Sequence, residues 1–339
     1  MKCTHNRRFI YAMITNLYDT VVVKCSVEKD NDIKFVSFDI GVNDKSTFDL
    51  IWTFLKTSPE SFGWTRDDNL NMFHYIDILG RGSQAVVMKV KILNDNQIYA
   101  LKITRSNIDA EHGIIKRLNE ASHSKSEGNQ NVYFIKSKIV NNCLLISPVG
   151  QCIRPMKSSQ FQFSDNEEYQ SFIQIFTQIK FCHGLNIIHR DIRSANIIRH
   201  EKKFYLIDYM ACSEPGMESD YYGSLTTASN SILKCFIGRD QGEIIKIKTF
   251  FADDIISLIK CYLLIRMDDL LKRQLTAYIN GWQMRCVISW WEDVINSANS
   301  IIRDLLNKLE NERKTLHIDS LYELLTPTID ELATLLCSY

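Results

Sequence analysis

The stretch His189 to Ile198, HRDIRSANII, sets Asp191 and Asn196 five positions apart in a polar run framed by the apolar pairs Ile187-Ile188 and Ile197-Ile198. A carboxylate that takes a hydroxyl proton and an amide oxygen that holds a hard cation are useful together in phosphoryl transfer, which depends on positioning and charge neutralisation. Ten residues beyond Ile198 the strand-like FYLID ends on Asp208, a second hard oxygen ligand suited to magnesium. Upstream, Lys102 stands in the apolar run YALK, where an ammonium is costly to bury without a counter-charge and should face an anion. Glu111 can provide it, because Ile114, Ile115 and Leu118 follow at helical spacing and put the carboxylate on the same inward face. An ordinary structural ion pair is the competing reading. Gly80-Arg81-Gly82 begins 22 residues before Lys102, where missing β-carbons let the backbone approach a ligand and offer amide donors to phosphate oxygens. A plain β-turn would use the same residues. Together, in this order, the five chemical elements describe phosphate chemistry.

Two kinds of element must position these groups. From Tyr75 the pattern is that of strands: Tyr75 to Leu79, Ala85 to Leu93 and Gln97 to Thr104, the last two joined by the turn Asn94-Asp95-Asn96. The spacing predicts a helix over Ile108 to Leu118, then a hairpin from Tyr133 to Val140 and Cys143 to Ser147 around Asn141-Asn142. After Gly150 the pattern turns helical. Ser164 and Glu167 form a capping box, and Tyr169, Phe172, Ile173, Phe176 and Ile179 mark one apolar face. Further helix is predicted over Asp253 to Ile265 and from Trp290 to the C-terminus. The fold class is α+β: a strand-rich lobe over 69–150, a hinge near Ser147 to Gly150, and a helical lobe over 151–339. Residues 1–68 form an accessory segment, with strand-like runs at Tyr18 to Val27 and Lys34 to Ile40. Phe48, Ile51, Trp52 and Leu55 then follow at helical spacing.

Composition agrees with a large globular chain. The 339 residues carry 40 basic and 40 acidic side chains, 45% apolar residues, and only 13 glycines and 5 prolines. Low Gly and Pro argue against collagen-like and disordered classes. The longest apolar stretch, Ile255 to Ile265, is interrupted by Lys260 and is too short to span a bilayer. The start lacks a small-residue cleavage site, which argues against a secretory leader. Zero net charge removes the simplest case for nucleic acid or anionic membrane as partner. The 10 cysteines are scattered without CxxC pairs and read as buried thiols of a reducing compartment.

From about Tyr75 to Ile265 the sequence resembles the protein-kinase superfamily. The resemblance implies a bilobal kinase-like fold with an antiparallel-sheet N-lobe, and ATP and Mg²⁺ as cofactors. It implies a phosphate-covering loop from Gly80 through Gly82 to Val87, and Lys102 on the ATP phosphates paired with Glu111. Asp191 would be the catalytic base, with Arg193 beside Lys102 stabilising phosphate charge, and Asn196 and Asp208 the metal ligands. Val87, Ala100 and Ile198 would surround adenine, with Ile146 near the back of the pocket and Ser147 to Gly150 as the adenine-reading hinge. Asp254 resembles the helix aspartate that braces the catalytic loop, with Asp253 competing for that role. Tyr221 to Ser229, YYGSLTTAS, is similar to the end of the activation segment in casein-kinase-I-like enzymes. The hinge and the run from Leu50 to Trp64 loosely resemble kinases expanded in fungi and kinase modules attached to effectors.

The departures are specific. Ala85 replaces the third loop glycine, and only nine positions separate Lys102 from Glu111. The metal-binding tripeptide ends on Met210 where the family has glycine, which questions the backbone angles available there. No Ala-Pro-Glu follows the activation segment, so Asn230 or nearby backbone must substitute for the glutamate anchor. Arg190 needs an anion, either phosphate on Ser219, Tyr221 or Tyr222, or the local acids Glu214, Glu218 and Asp220.

The leading expectation is an ATP- and Mg²⁺-dependent kinase acting on serine or threonine of a protein substrate, intracellular, cytoplasmic or nuclear. No nucleic-acid or membrane partner is expected. The alternatives are a nucleotide-binding pseudokinase scaffold and a tyrosine or dual-specificity kinase. A small-molecule kinase is disfavoured by Arg190 and Gly223-Ser224.

Overall fold

The computed structural model describes residues 9–15, 19–27, 33–41, 72–81, 85–92, 97–104, 107–124, 132–140, 142–153, 164–241 and 243–338. The chain divides into two compact units, Met1–His74 and Tyr75–Tyr339. In the first, β1 (Phe9–Thr15), β2 (Asp19–Val27) and β3 (Ile33–Gly41) form an antiparallel sheet in that order. β2 and β3 lie within a residue of the strand-like runs; β1 is an addition to them. The helix expected around Phe48 to Leu55 lies outside the described residues.

The second unit begins with a five-stranded sheet: β4 (Phe73–Arg81), β5 (Ala85–Ile92), β6 (Ile98–Thr104), β7 (Lys136–Val140) and β8 (Cys143–Ser147), ordered β4-β5-β6-β8-β7. The β5-β6, β6-β8 and β7-β8 pairings are antiparallel. β6 is central, which is why Tyr99 to Lys102 are buried on both faces and read as a continuous apolar run rather than an alternation. Helix α1 (Ile108–Ser124) lies on this sheet and buries Glu111, Ile115 and Leu118 along one stripe. It continues six residues past the expected end at Leu118, because the following turns carry only a weak stop signal.

Beyond Gly150 the chain is mainly helical. Helix α2 (Asp165–His183) starts on Ser164 with both halves of the capping box formed. The short α3 (Asn230–Lys234) and the central α4 (Phe251–Arg266) follow. Every residue of α4 from Phe251 to Leu263 is buried, so its polar members must find partners inside. The helical stretch expected from Trp290 onward starts earlier, at Met284, and is divided into α6 (Met284–Ser297), α7 (Ser300–Glu312), α8 (Ile318–Leu325) and α9 (Ile329–Ser338). Asn299 caps α7, its side chain accepting from the Ile301 amide, and this break makes a single long helix impossible. Helix α5 (Asp269–Asn280), capped by Asp268, is also an addition. No helix among the described residues is long and apolar enough to cross a membrane.

Three short pieces join the lobes to the site. β9 (Gln151–Cys152), β10 (Ile197–His200) and β11 (Lys203–Leu206) form an antiparallel sheet ordered β11-β10-β9. Gly150 packs so tightly there that a Cβ would stand 2.5 Å from the Arg199 carbonyl oxygen. β12 (Glu218–Asp220) pairs antiparallel with β13 (Lys246–Lys248), opposing Glu218 to Lys248 and Asp220 to Lys246. The eight cysteines from Cys143 onward are free thiols; Cys143, Cys182, Cys261 and Cys337 are buried, whereas Cys235 and Cys286 are exposed, which corrects the expectation that all would be interior.

Candidate active site

Strand β6, helix α1 and the end of β11 bring three charges to one point. Lys102 Nζ donates to Glu111 Oε2 at 2.8 Å and to Asp208 Oδ1 at 2.7 Å. The short connection between Lys102 and Glu111 therefore does not prevent their pairing. Burial opposes the ammonium of Lys102, but the two carboxylates outweigh it and hold its pKa above the ordinary value. Burial also works against charge on Asp208, and is outweighed by Lys102, with His189 and Arg193 adding to the effect, so its pKa lies below the ordinary value. For Glu111 burial dominates and pushes the carboxyl up. Asp208 reaches this place through a left-handed backbone, φ 69° and ψ 66°. An aspartate tolerates that region better than most residues. Met210 lies in the 3-10 turn Tyr209–Ala211, and positive φ belongs to Asp208 rather than to it, so the missing glycine imposes no strain in this arrangement.

The loop carrying Asp191 is tied on every side. Asn196 Nδ2 donates to Asp191 Oδ2 at 2.7 Å and to the Asp191 carbonyl at 2.9 Å. The Ser224 amide donates to Asp191 Oδ1 at 2.8 Å, and Arg193 Nε lies 3.3 Å from Oδ2. An ionised carboxylate offers about four lone-pair directions, so the two hydrogen bonds from Asn196 and Ser224 leave room for a further donor. Beneath the loop, Asp254 accepts the amides of His189 at 2.7 Å and Arg190 at 2.8 Å, and lies 3.1 Å from His183 Nε2. Asp254, not Asp253, is thus the brace. Its full burial favours protonation, but these donors prevail and its pKa is lowered. The brace also holds Arg190, whose φ of 72° is strained for a long side chain by about 1–2 kcal/mol.

Arg190 has found partners of a kind the sequence did not suggest. Its Nη1 donates to Ser219 Oγ at 2.8 Å and to the Ala211 carbonyl at 3.3 Å, and Nη2 donates to the Asp220 carbonyl at 2.7 Å. The guanidinium lies 5.3 Å from the Tyr221 ring centroid. The backbone and a hydroxyl of the activation segment meet it, rather than the acidic side chains. Asp253 serves the other end of that segment, accepting from Ser229 Oγ at 2.7 Å and Arg313 Nε at 2.6 Å.

The apolar residues Val87, Ala100, Ile146 and Ile198 share one cluster, Ala100 facing Ile146 across β6 and β8. No described residue lies within 4 Å of a Cβ added at Gly80, and Gly82 lies outside the described residues. The donor set suits a hard divalent cation. Asp208 is ionised and a third exposed, and with both Asn196 amide protons spent on Asp191, its Oδ1 is the atom left for a cation. Among the described residues no group of three His, Cys, Asp or Glu side chains could hold a metal alone, so these two oxygens would need phosphate oxygens to complete a shell. Several positioning residues are not recognisable from spacing. Gln178 on α2, fully inside, donates to the Phe204 carbonyl at 2.7 Å and accepts from the Leu206 amide at 2.9 Å, fixing the strand that ends at Asp208. A polar residue on the apolar face of α2 was the available signal.

Residues 73–230 match the family model of the protein kinase domain. The chain is 27% identical over 198 residues to atypical protein kinase C of Drosophila melanogaster, covering 54% of this chain and 32% of that protein. It is 28% identical over 149 residues to a putative serine/threonine-protein kinase of Acanthamoeba polyphaga mimivirus, covering 43% and 27%. A serine/threonine-protein kinase of Drosophila simulans is 24% identical over 251 residues, covering 68% and 32%. The chain thus spans about a third of the length of these relatives.

Proposed function

We propose that the chain is a divergent member of the eukaryotic protein kinase superfamily and an active, ATP- and Mg²⁺-dependent kinase that phosphorylates serine or threonine of protein substrates. The observation that carries this reading is the convergence of Lys102 on Glu111 and Asp208, with Asp191 and Asn196 bonded to each other in the adjoining loop. Asp191 orients the acceptor hydroxyl with its remaining lone pair and takes its proton as the oxygen forms a bond to the γ-phosphorus. The bond from that phosphorus to the β-γ bridging oxygen breaks, and the electron pair leaves with ADP. Lys102 and the half-exposed Arg193 meet phosphate oxygens. Asn196 Oδ1 and the Asp208 carboxylate would hold Mg²⁺, which supplies neutralisation of phosphate charge when bound.

The serine or threonine preference is supported by Ser224, whose amide donates to Asp191 Oδ1, and by the serine/threonine-protein kinases to which the chain is similar. The free thiols suit a reducing, intracellular compartment. Labelled ATP with a peptide library scoring Ser, Thr and Tyr acceptors separately tests the reading. Transfer to serine or threonine peptides, lost in Asp191→Asn, is expected; a melting shift with Mg²⁺-ATP but no transfer would make the chain a nucleotide-binding scaffold.

A further inference from the structure

Lys260 has no part in the chemistry above, yet its side chain is fully buried in the middle of α4. A lysine there is unfavourable unless something specific requires it. Its Nζ donates to the Ala228 carbonyl at 2.8 Å and to Asn230 Oδ1 at 3.0 Å, and sits 4.7 Å from the Trp291 ring centroid. All three partners belong to one construction. Trp291 Nε1 donates to the Thr226 carbonyl at 3.1 Å, and Glu310 accepts from the amides of Asn230 at 2.5 Å and Ser231 at 3.3 Å. Thr227 Oγ1 reaches the Ile192 carbonyl in the catalytic loop at 2.8 Å. The segment whose first amide rests on Asp191 is therefore fastened from behind, and Lys260 donates to it at two points, Ala228 and Asn230.

We infer that Lys260 is a positioning residue for the acceptor substrate: it holds residues 226–230 in the register that sets Ser224 against Asp191, in place of the glutamate anchor this chain lacks. The inference rests on the kinase reading above, because the acceptor peptide is the ligand the segment would position. The geometry assigns the task to a cation because two oxygens, one a main-chain carbonyl, converge on one buried point. An ammonium with three protons satisfies both and turns its third toward an aromatic face.

The test uses the full chain with Lys260→Met, which keeps length and volume but removes the donor. Three quantities are measured: KM for a serine peptide, KM for ATP, and amide hydrogen exchange at residues 224–230. Peptide KM should rise about tenfold, as expected for loss of a charge-assisted hydrogen bond, while ATP KM stays within about twofold. Exchange protection across 224–230 should fall. A folded variant with unchanged peptide KM and protection overturns the inference, as does a parallel rise of both KM values, which marks general loosening. If Lys260→Met does not fold, Asn230→Ala decides, since it removes one acceptor without touching α4. A rise of about threefold in peptide KM with unaltered ATP KM is expected, and no change overturns the inference. If the unmodified chain phosphorylates no peptide, the kinase reading falls by itself, and the exchange measurement still decides whether Lys260 anchors the segment.

Discussion

Lys102 Nζ lies 2.7 Å from Asp208 Oδ1, joining two residues 106 positions apart. This contact closes the site from the sheet to the loop beneath it, and it holds Asp208 ionised against its burial.

Asp208→Asn should therefore separate chemistry from folding. The amide keeps the size of the side chain and can still accept from Lys102, so the melting temperature should change by only a few degrees. It loses the charge that a hard cation and its phosphates require, and turnover of a serine peptide should drop at least about a hundredfold. The Mg²⁺-ATP-induced melting shift should vanish in the same variant. Normal turnover in Asp208→Asn would remove Asp208 from the site.

The contacts of Arg190 argue that the activation segment is ordered without phosphate. Ser219 Oγ already accepts from the guanidinium, Asp220 contributes a carbonyl, and β12 is paired with β13 across two opposite-charge positions. Ser219→Ala removes one hydrogen bond of about 1 kcal/mol. Chain made without phosphorylation should thus retain turnover within about threefold, with or without Ser219→Ala. A loss of tenfold or more in the unphosphorylated chain, restored by phosphate on Ser219, would show that this order is incomplete.

Much of this site was legible because its chemistry is carried by residues that are close in sequence or sit on strongly patterned elements. Asp191 and Asn196 share one loop, and Lys102 announced itself as a charge in a central strand. What escaped the sequence was set by tertiary packing. The terminal nitrogens of Arg190 are met by two carbonyls and the Ser219 hydroxyl, and the carbonyls have no side-chain signature, while its buried Nε has no partner among the described residues. The doubt over Met210 assumed that the unusual backbone angle fell there, whereas the structure puts it on Asp208, two residues earlier. Lys260 interrupted an apolar run and was legible only as a reason against a membrane span. Its partners come from three separate elements that no local pattern connects.

Two glycines should respond in opposite ways to alanine. At Gly150 a Cβ would meet the Arg199 carbonyl at 2.5 Å, a main-chain contact with nowhere to go, so Gly150→Ala should cost roughly 1–3 kcal/mol and lower the melting temperature. At Gly80 no described residue lies within 4 Å of an added Cβ, so Gly80→Ala should leave the melting temperature unchanged. If Gly80 belongs to a phosphate-covering loop, its ATP KM should still rise severalfold because the backbone approaches the phosphates less closely. An ATP KM that stays put in Gly80→Ala returns this turn to an ordinary role.

Lys260 also gives the protein a signature in alkaline solution. Full burial lowers its pKa to about 8, although Glu310 on α7 and Asp253 on its own helix pull the other way, and its remaining surroundings are the Trp291 ring and the oxygens of Ala228 and Asn230. In the unfolded chain the same group titrates near 10.5. Between these values the unfolded state binds the extra proton, so this group's contribution to stability is present above about 10.5 and is lost as pH falls through about 8. Urea unfolding of the native chain, compared with Lys260→Met across that window, should show stability rising with pH by up to about 3 kcal/mol relative to the variant. Two parallel curves would mean that the buried ammonium keeps its ordinary affinity for the proton, and that the cost of burying it is met by closer charges than Asp253 and Glu310.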